Sequence, residues 1–529
     1  MKLMHTLSVS ALFTFAWISL GSAPALAAAA DAPTFSKDVA PIFFRHCSQC
    51  HRPGEVAPMS LMSYKEARPW AKSIVRQVEN RDMPPWSGDS DKHVWANDIS
   101  LSDEKIATIA EWVRAGAPEG DPADLPEAPK YASSWQLGEP DYVVTLDSIE
   151  VPADGEDLFP KQIIDIELEE DRWVRAIEFL PEDSRVTHHF QATYSVVESS
   201  AGNLLGGSGG VFAIWTAGMP PYVFPDGMGR MLGKKVKVVV DQHYHPIGEA
   251  TSDASKIGIY FGEGELEKEV ATIPVTNTGL RIPPGAPAHA ENAHFLFDKD
   301  VQILAFSPHM HVRGKAMSYE LTYPNGDKEM LLDVPKYDYN WQWLYYPTAP
   351  IDIPAGSRLD VTAVWDNSPE NSANPDPSQE IIYRGDTFNE MFNGFIEVVQ
   401  KDGVRFERQN DKEQILDLLA LHPSENSFLI EGFLKLGIHA PKEGEGWLYM
   451  GGIFSTSLDD FEWSGDALKI TTQFPTPEAS ATTTIIEGKL DDQGQLKGTL
   501  TIGSDTEKPM QLPFVAKPLA GLEGVSSGR

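Results

Sequence analysis

Six of the fourteen histidines in this 529-residue chain stand in three short clusters. They are "THHF" (His188, His189), "DQHYHP" (His243, His245) and "SPHMHVRG" (His309, His311). Imidazole suits copper, zinc, iron and nickel, and a thioether partner shifts the preference towards Cu(I). In an extended segment His309 and His311 point to one face, roughly 6.5–7 Å apart along the strand, with Met310 on the other. Two rings so placed can close on one metal ion. Adjacent His188 and His189 face opposite sides of a regular strand, so joint ligation requires a bulge there. His245 shares a face with His243 and is either a rival ligand or a group supporting one.

The only two cysteines, Cys47 and Cys50, lie in "CSQCH". This is C-x-x-C-H, the attachment signature of c-type haem: the two thiols form thioethers to the porphyrin and His51 becomes the proximal iron ligand. The alternatives are a thioredoxin-like pair and half of a zinc site. There is no second cysteine pair for zinc and no βαβ pattern around the motif. With both thiols in one motif, no structural disulfide is expected. Met83 in "NRDMPPW" is the candidate distal ligand, with Pro84 and Pro85 restricting the loop behind it, and a thioether there favours Fe(II). Met59 and Met62 compete, with packing against the porphyrin as their plainer role.

Several elements must position these groups. Lys2, the apolar run "LSVSALFTFAWISLG" and a small-residue stretch containing Ala25-Leu26-Ala27 read as a signal peptide over 1–27, which predicts a periplasmic or secreted product. No later segment approaches the roughly 18 apolar residues of a membrane span. A net charge of −34 repels nucleic acid and anionic membrane surfaces.

Residues 31–120 read as a small all-α domain. Ser63 and Glu66 form a capping box, and Pro69 opens a segment with Trp70, Ile74 and Val78 on one stripe. A further helix follows Ser102, with Ile106, Ile109, Ala110 and Val113 at helical spacing. The Pro-, Ala- and acid-rich stretch "GAPEGDPADLPEAPKYASS" reads as a linker, set at 121–139. Short segments rich in Val, Ile and aromatics then predict two mainly antiparallel, jelly-roll-like β-sandwiches at 140–280 and 281–422, and an all-β module at 425–520 that carries no motif.

The helical region resembles a cytochrome c domain, a family in which the methionine of an "MPPW"-type segment is the usual distal ligand. Downstream, the order HH, HYH, H-x-H and a later Glu-Met resembles the copper type II, ascorbate-dependent monooxygenases, the family of dopamine β-monooxygenase and peptidylglycine α-hydroxylating monooxygenase. The match covers roughly residues 140–420 and includes "YDYNWQW" and "GSRLDVTAVWDNS". The resemblance implies one copper on His188, His189 and His243 and a second on His309, His311 and Met391, the latter activating O₂ to hydroxylate a C–H bond. Relatives take two electrons from ascorbate; here the fused haem is expected to replace or relay that reductant or a redox protein. Animal members carry disulfides that this chain lacks. Ser307 stands where the peptide-processing enzyme grips a carboxylate with arginine, which argues against a peptide C-terminus as substrate. Two other readings stay open: a dehydrogenase passing substrate electrons out through the haem, and a non-enzymatic electron carrier or copper-binding protein.

Overall fold

The computed structural model describes residues 32–132, 134–198, 209–384 and 388–405, and within the C-terminal part 427–430, 436–440, 446–450, 454–458, 460–475, 481–504 and 509–518. The expected signal peptide at 1–27 lies outside the described residues. Most of the ordered backbone is β-sheet, with short helices at the N-terminal end. No helix among the described residues is long and apolar enough to cross a membrane.

The N-terminal region is helical in short pieces: Ala40–His46, Tyr64–Ala67, Ala71–Glu79 and Asp103–Arg114. Phe35, Phe43 and Trp112 form the centre of its core, with Trp112 centred 6.1 Å from Phe35 and 6.3 Å from Phe43. Ser63 Oγ accepts from Glu66 N–H at 3.4 Å, but the Glu66 carboxylate takes the Ser63 hydroxyl at 2.6 Å. Pro69 sits in a 3₁₀ turn, Arg68–Trp70, and the α-helix begins only at Ala71. That turn shifts the phase of the stripe, so Ile74 and Val78 are buried while Trp70 is 43% exposed, contrary to expectation. In the last helix Ile109 and Ala110 are buried as expected, but the largest anchor is Trp112, whose indole N–H donates to Pro118 O at 3.0 Å. Two backbone N–H groups, of Phe35 and Ser36, donate to Pro118 and Glu119, so the start of the expected linker stretch is bound to the helices.

Beyond residue 140 two pairs of sheets follow. In the first pair, one sheet centres on Arg172–Leu180 and Lys256–Phe261, and the other runs Lys161–Glu167, Lys235–Tyr244, Thr187–Glu198, Gly209–Thr216. Phe179 of one stacks on Phe190 of the other, with centroids 5.4 Å apart. In the second pair, one sheet runs Ala271–Thr276, Asn393–Gln400, Val301–His309, Ile351–Ile353, and the other His289–Leu296, Arg358–Trp365, Gly314–Thr322, Lys328–Val334. Phe306 and Tyr319 join them, 5.2 Å between centroids. Strict alternation drives the inner faces: Leu359, Val361, Ala363 and Trp365 are buried along one strand. These antiparallel pairs are compatible with the two expected sandwiches. Ala271–Thr276, placed ahead of the expected boundary at 280, pairs with Asn393–Gln400 of the second pair.

One apolar core runs through both pairs of sheets and takes in Trp86 and Trp95 from the helical region. Across the junction Arg230 Nη2 meets Glu397 Oε1 at 2.5 Å and Arg230 Nη1 donates to Thr272 at 2.8 Å, all in the interior. Trp343 Nε1 donates to Pro85 O at 2.6 Å, Asn97 Nδ2 to Leu344 O at 2.6 Å, and Trp86 packs on Tyr345 at 4.8 Å. The described C-terminal strands form one antiparallel nine-stranded sheet over a separate core that includes Ile470, Ile486 and Phe514.

Candidate metal centres

The first histidine group sits on two neighbouring strands. Thr187 faces Tyr244 and His189 faces His243, so His188 is one inserted residue between two paired positions. This bulge provides the departure from alternation that joint use of both histidines requires. Ring centres lie 4.9 Å apart for His188 and His243, 4.8 Å for His189 and His243, and 6.4 Å for His188 and His189. A ring nitrogen about 2.0–2.1 Å from a metal places its ring centre about 3 Å away, so ligating rings are centred about 4.5–6.5 Å apart. All three separations fit. Among the described residues no group of three or more His, Cys, Asp or Glu side chains is placed to hold a metal ion.

His188 Nδ1, His189 Nε2 and His243 Nδ1 are each buried without a hydrogen-bond partner. Unpaired buried polar atoms cost free energy, and three in one place fit a metal ion. Burial, then repulsion from His243, pushes the His188 imidazole down to about 4. Burial also holds His189 well below the ordinary histidine range. Both rings are therefore neutral, the form that binds metal.

Behind this group Asp157 stands 2.7 Å from His243 Nε2 and 2.7 Å from His245 Nδ1. Burial works to raise the Asp157 carboxyl, but the two histidine hydrogen bonds outweigh it and hold the group at about 2. A carboxylate on Nε2–H leaves Nδ1 as the basic nitrogen of His243. His245, largely exposed, is committed to the same carboxylate and so supports the group from outside. Phe159 stacks on the His243 ring at 4.6 Å.

The second group forms where Val301–His309 ends. His309 pairs with Asn393, and the chain turns back through a Gly314 N–H to His311 O bond of 3.0 Å. The His309 and His311 rings are centred 5.3 Å apart. Met310 is fully buried and its backbone is clamped by the Tyr337 hydroxyl, which accepts from Met310 N–H at 3.0 Å and donates to Met310 O at 2.7 Å. A Cβ on Gly314 would come within 2.7 Å of Met310 Cβ and of the Tyr337 ring, so this fold-back needs glycine. Glu390 accepts from the N–H groups of His311 and Arg313, each at 2.7 Å, and from the Trp365 indole at 3.2 Å. Burial pushes the Glu390 carboxyl up to about 7 despite those donors.

His309 Nδ1 faces Gln342 Oε1 at 2.7 Å and His311 Nδ1 faces Asn389 O at 2.9 Å. Both partners are acceptors, so Nδ1 carries the proton and Nε2 is the more basic position left on each ring. The paired register ends at His309 and Asn393, and beyond it His311 is tied to the residues just before Met391, its N–H donating to Glu390 at 2.7 Å and its Nδ1 to Asn389 O at 2.9 Å. Met391 is buried and its sulfur accepts from Asn393 Nδ2 at 3.4 Å.

The segment 337–343, "YDYNWQW", touches both groups. Trp341 is centred 6.0 Å from His188; Tyr339 is 5.3 Å from His189, 5.7 Å from His243 and 6.1 Å from His311. A single phenol ring thus separates the two sets of imidazoles. A cleft of about 790 Å³, lined in part by Asp157, Phe159, Arg313, Phe388 and Asn389, opens on the residues that back His243 and His311.

The cysteine turn follows the Ala40–His46 helix: Cys47 caps it, and Cys50 N–H and His51 N–H both donate to Cys47 O. Burial pushes both thiols up to about 12, the opposite of an activated thioredoxin-like thiolate. His51 Nδ1 donates to Met59 O at 3.1 Å, which leaves Nε2 as the basic nitrogen suited to an iron. Met83 lies on the wall of a cleft of about 300 Å³ whose lining includes Trp86, Pro308, Trp341 and Trp343 but none of Cys47, Cys50 and His51.

Asp157, Gln342, Tyr339 and the anchoring role of Glu390 were not assigned from the sequence. Tyr339 and Gln342 lie in "YDYNWQW" and Glu390 in the Glu-Met step, both flagged only by resemblance. Asp157 lies in an acid-rich loop with no spacing to mark it. No family model matches the chain, and no curated protein matches it.

Proposed function

We propose that this chain is an exported haem- and copper-containing monooxygenase that hydroxylates a C–H bond of a small organic substrate with O₂. Its helical region is read as a cytochrome c domain, with Cys47, Cys50 and His51 holding one covalent haem and Met83 as distal ligand. His188, His189 and His243 would hold one copper, and His309, His311 and Met391 the other. Bound in this way, the coppers supply O₂ activation and one-electron redox chemistry, and the haem supplies electrons from an ascorbate-like reductant or a redox protein.

The observation that carries this reading is the trio of buried, partnerless nitrogens on His188, His189 and His243, one phenol ring away from a second imidazole pair. The chain's own residues prepare both places. Asp157, Gln342 and Asn389 each accept the ring N–H of one histidine and leave its other nitrogen as the basic one. Glu390 fixes the backbone on both sides of Val312. Phe159 and Tyr339 cover the rings and limit water, which strengthens electrostatic interactions inside the site.

Anaerobic metal analysis and ¹⁸O₂ labelling test the reading together. The expected result is two coppers and one covalent haem per chain, with label from O₂ in a hydroxylated product of a metabolite screen. An oxidised product without label, formed while the haem is reduced, replaces the monooxygenase with a dehydrogenase. Absence of copper ends both.

A further inference from the structure

We infer that electrons pass from the haem to the His188 group through Cys50 and Ala217, and that residue 218 is glycine because this contact must stay closed. The inference rests on the proposed haem and copper sites and goes further by naming the point of entry.

The "CSQCH" turn is clamped between two surfaces. On one side Tyr131 takes it: its hydroxyl is 2.5 Å from Ser48 Oγ, and the Arg52 guanidinium lies 3.7 Å over its ring. On the other side Cys50 Sγ lies 3.7 Å from Ala217 O. A Cβ at residue 218 would fall 2.4 Å from that sulfur, and Gly218 has φ +88°, in the left-handed region that favours glycine. A glycine at 218 thus leaves the room that this close approach needs.

Ala217 leads directly to the first histidine group. Its N–H donates to His188 O at 3.2 Å, and Thr216 Oγ1 donates to the same carbonyl at 3.3 Å. Thr216 is also the register partner of His189. One residue therefore links the cysteine sulfur to the backbone of His188. The competing route runs through Trp343, next in sequence to Gln342, to His309. It begins at Pro85, on the Met83 side.

The step is a single electron transfer without a proton: haem iron goes from Fe(II) to Fe(III) and one copper from Cu(II) to Cu(I). It is read by spectroscopy, without turnover. Protein carrying Cu(II) at its two sites and no free copper is reduced at the haem by a photochemical electron pulse under anaerobic conditions, and loss of the ferrous haem band and of the cupric EPR signal is followed. Wild type should lose one equivalent of each in one phase. Gly218→Ala should slow that phase by about tenfold or more at unchanged haem and copper content. Gly54→Ala should leave it unchanged, because Gly54 has φ +86° but a Cβ there meets nothing within 4 Å. His309→Ala should retain the transfer, and His188→Ala should lose it.

This last pair decides the matter even where Gly218→Ala does not fold. Transfer in wild type that is unchanged in Gly218→Ala, or that is lost in His309→Ala and kept in His188→Ala, overturns the entry point and leaves the haem as donor. No haem oxidation in copper-loaded wild type overturns the donor role and this inference with it.

Discussion

Asp157 holds His243 by Nε2 at 2.7 Å, the nitrogen opposite the one that is buried and partnerless. The carboxylate thus fixes both the tautomer and the ring plane. Asp157→Asn keeps the size but offers a weaker acceptor, and loss of such a partner typically lowers metal affinity 10–100-fold, roughly. Competition with a chelator should show weakened binding of one copper, with the second copper and the haem unaffected. Equal weakening at both sites refutes the assignment of Asp157 to the first group.

Met391 follows Glu390, which accepts from the His311 N–H at 2.7 Å. Met391→Ile is nearly volume-conserving and should cost less than about 1.5 kcal/mol of stability. It should retain the haem and the first copper and abolish hydroxylation. Full product formation in this variant, measured beside its copper content, removes Met391 from the site.

The low affinity of His188 for protons makes the metal-free protein acid-sensitive. In the unfolded chain a histidine takes up its proton near its ordinary value of about 6.5, whereas in the fold His188 does so only at about 4. Between those values the unfolded state binds more protons, so stability falls as pH drops through the window. Melting temperatures of apo protein from pH 7 to pH 4 should decline, and His188→Gln should flatten part of that slope. An identical slope in the variant shows that other groups govern the decline.

Arg230 and Glu397 pair between the two sets of sheets, both almost fully buried. Burial pushes the Glu397 carboxyl upward, which marks how costly an unpaired charge is there. Arg230→Met should therefore cost about 3–5 kcal/mol, and Arg230→Met with Glu397→Met should recover most of it. Urea midpoints of the single and double variants check this. A double variant as weak as the single one means that packing around the pair, not charge, is lost.

Properties set by local period were legible in the sequence. A bulge at His188 is what two adjacent histidines need to be used together on a strand of period two, and the buried positions Ile74, Val78 and Ile109 follow from helical spacing. Trp70 was misplaced because a 3₁₀ turn at Pro69 resets the angle per residue. Asp157 could not be found, since its partner His243 lies 86 positions away and no spacing encodes that meeting. The pairing of Ala271–Thr276 with Asn393–Gln400 was hidden for the same reason: register across a sheet is decided by the partner strand.

The loop from Pro85 to Asn97 lays two indoles against Trp343, Tyr345 and Phe306. A shortened gene starting after residue 120 would leave that aromatic wall wet, and the product would clump through it. The joining of the two halves is thus a matter of solubility, and replacing the helical region with another domain would require carrying this strap along with it.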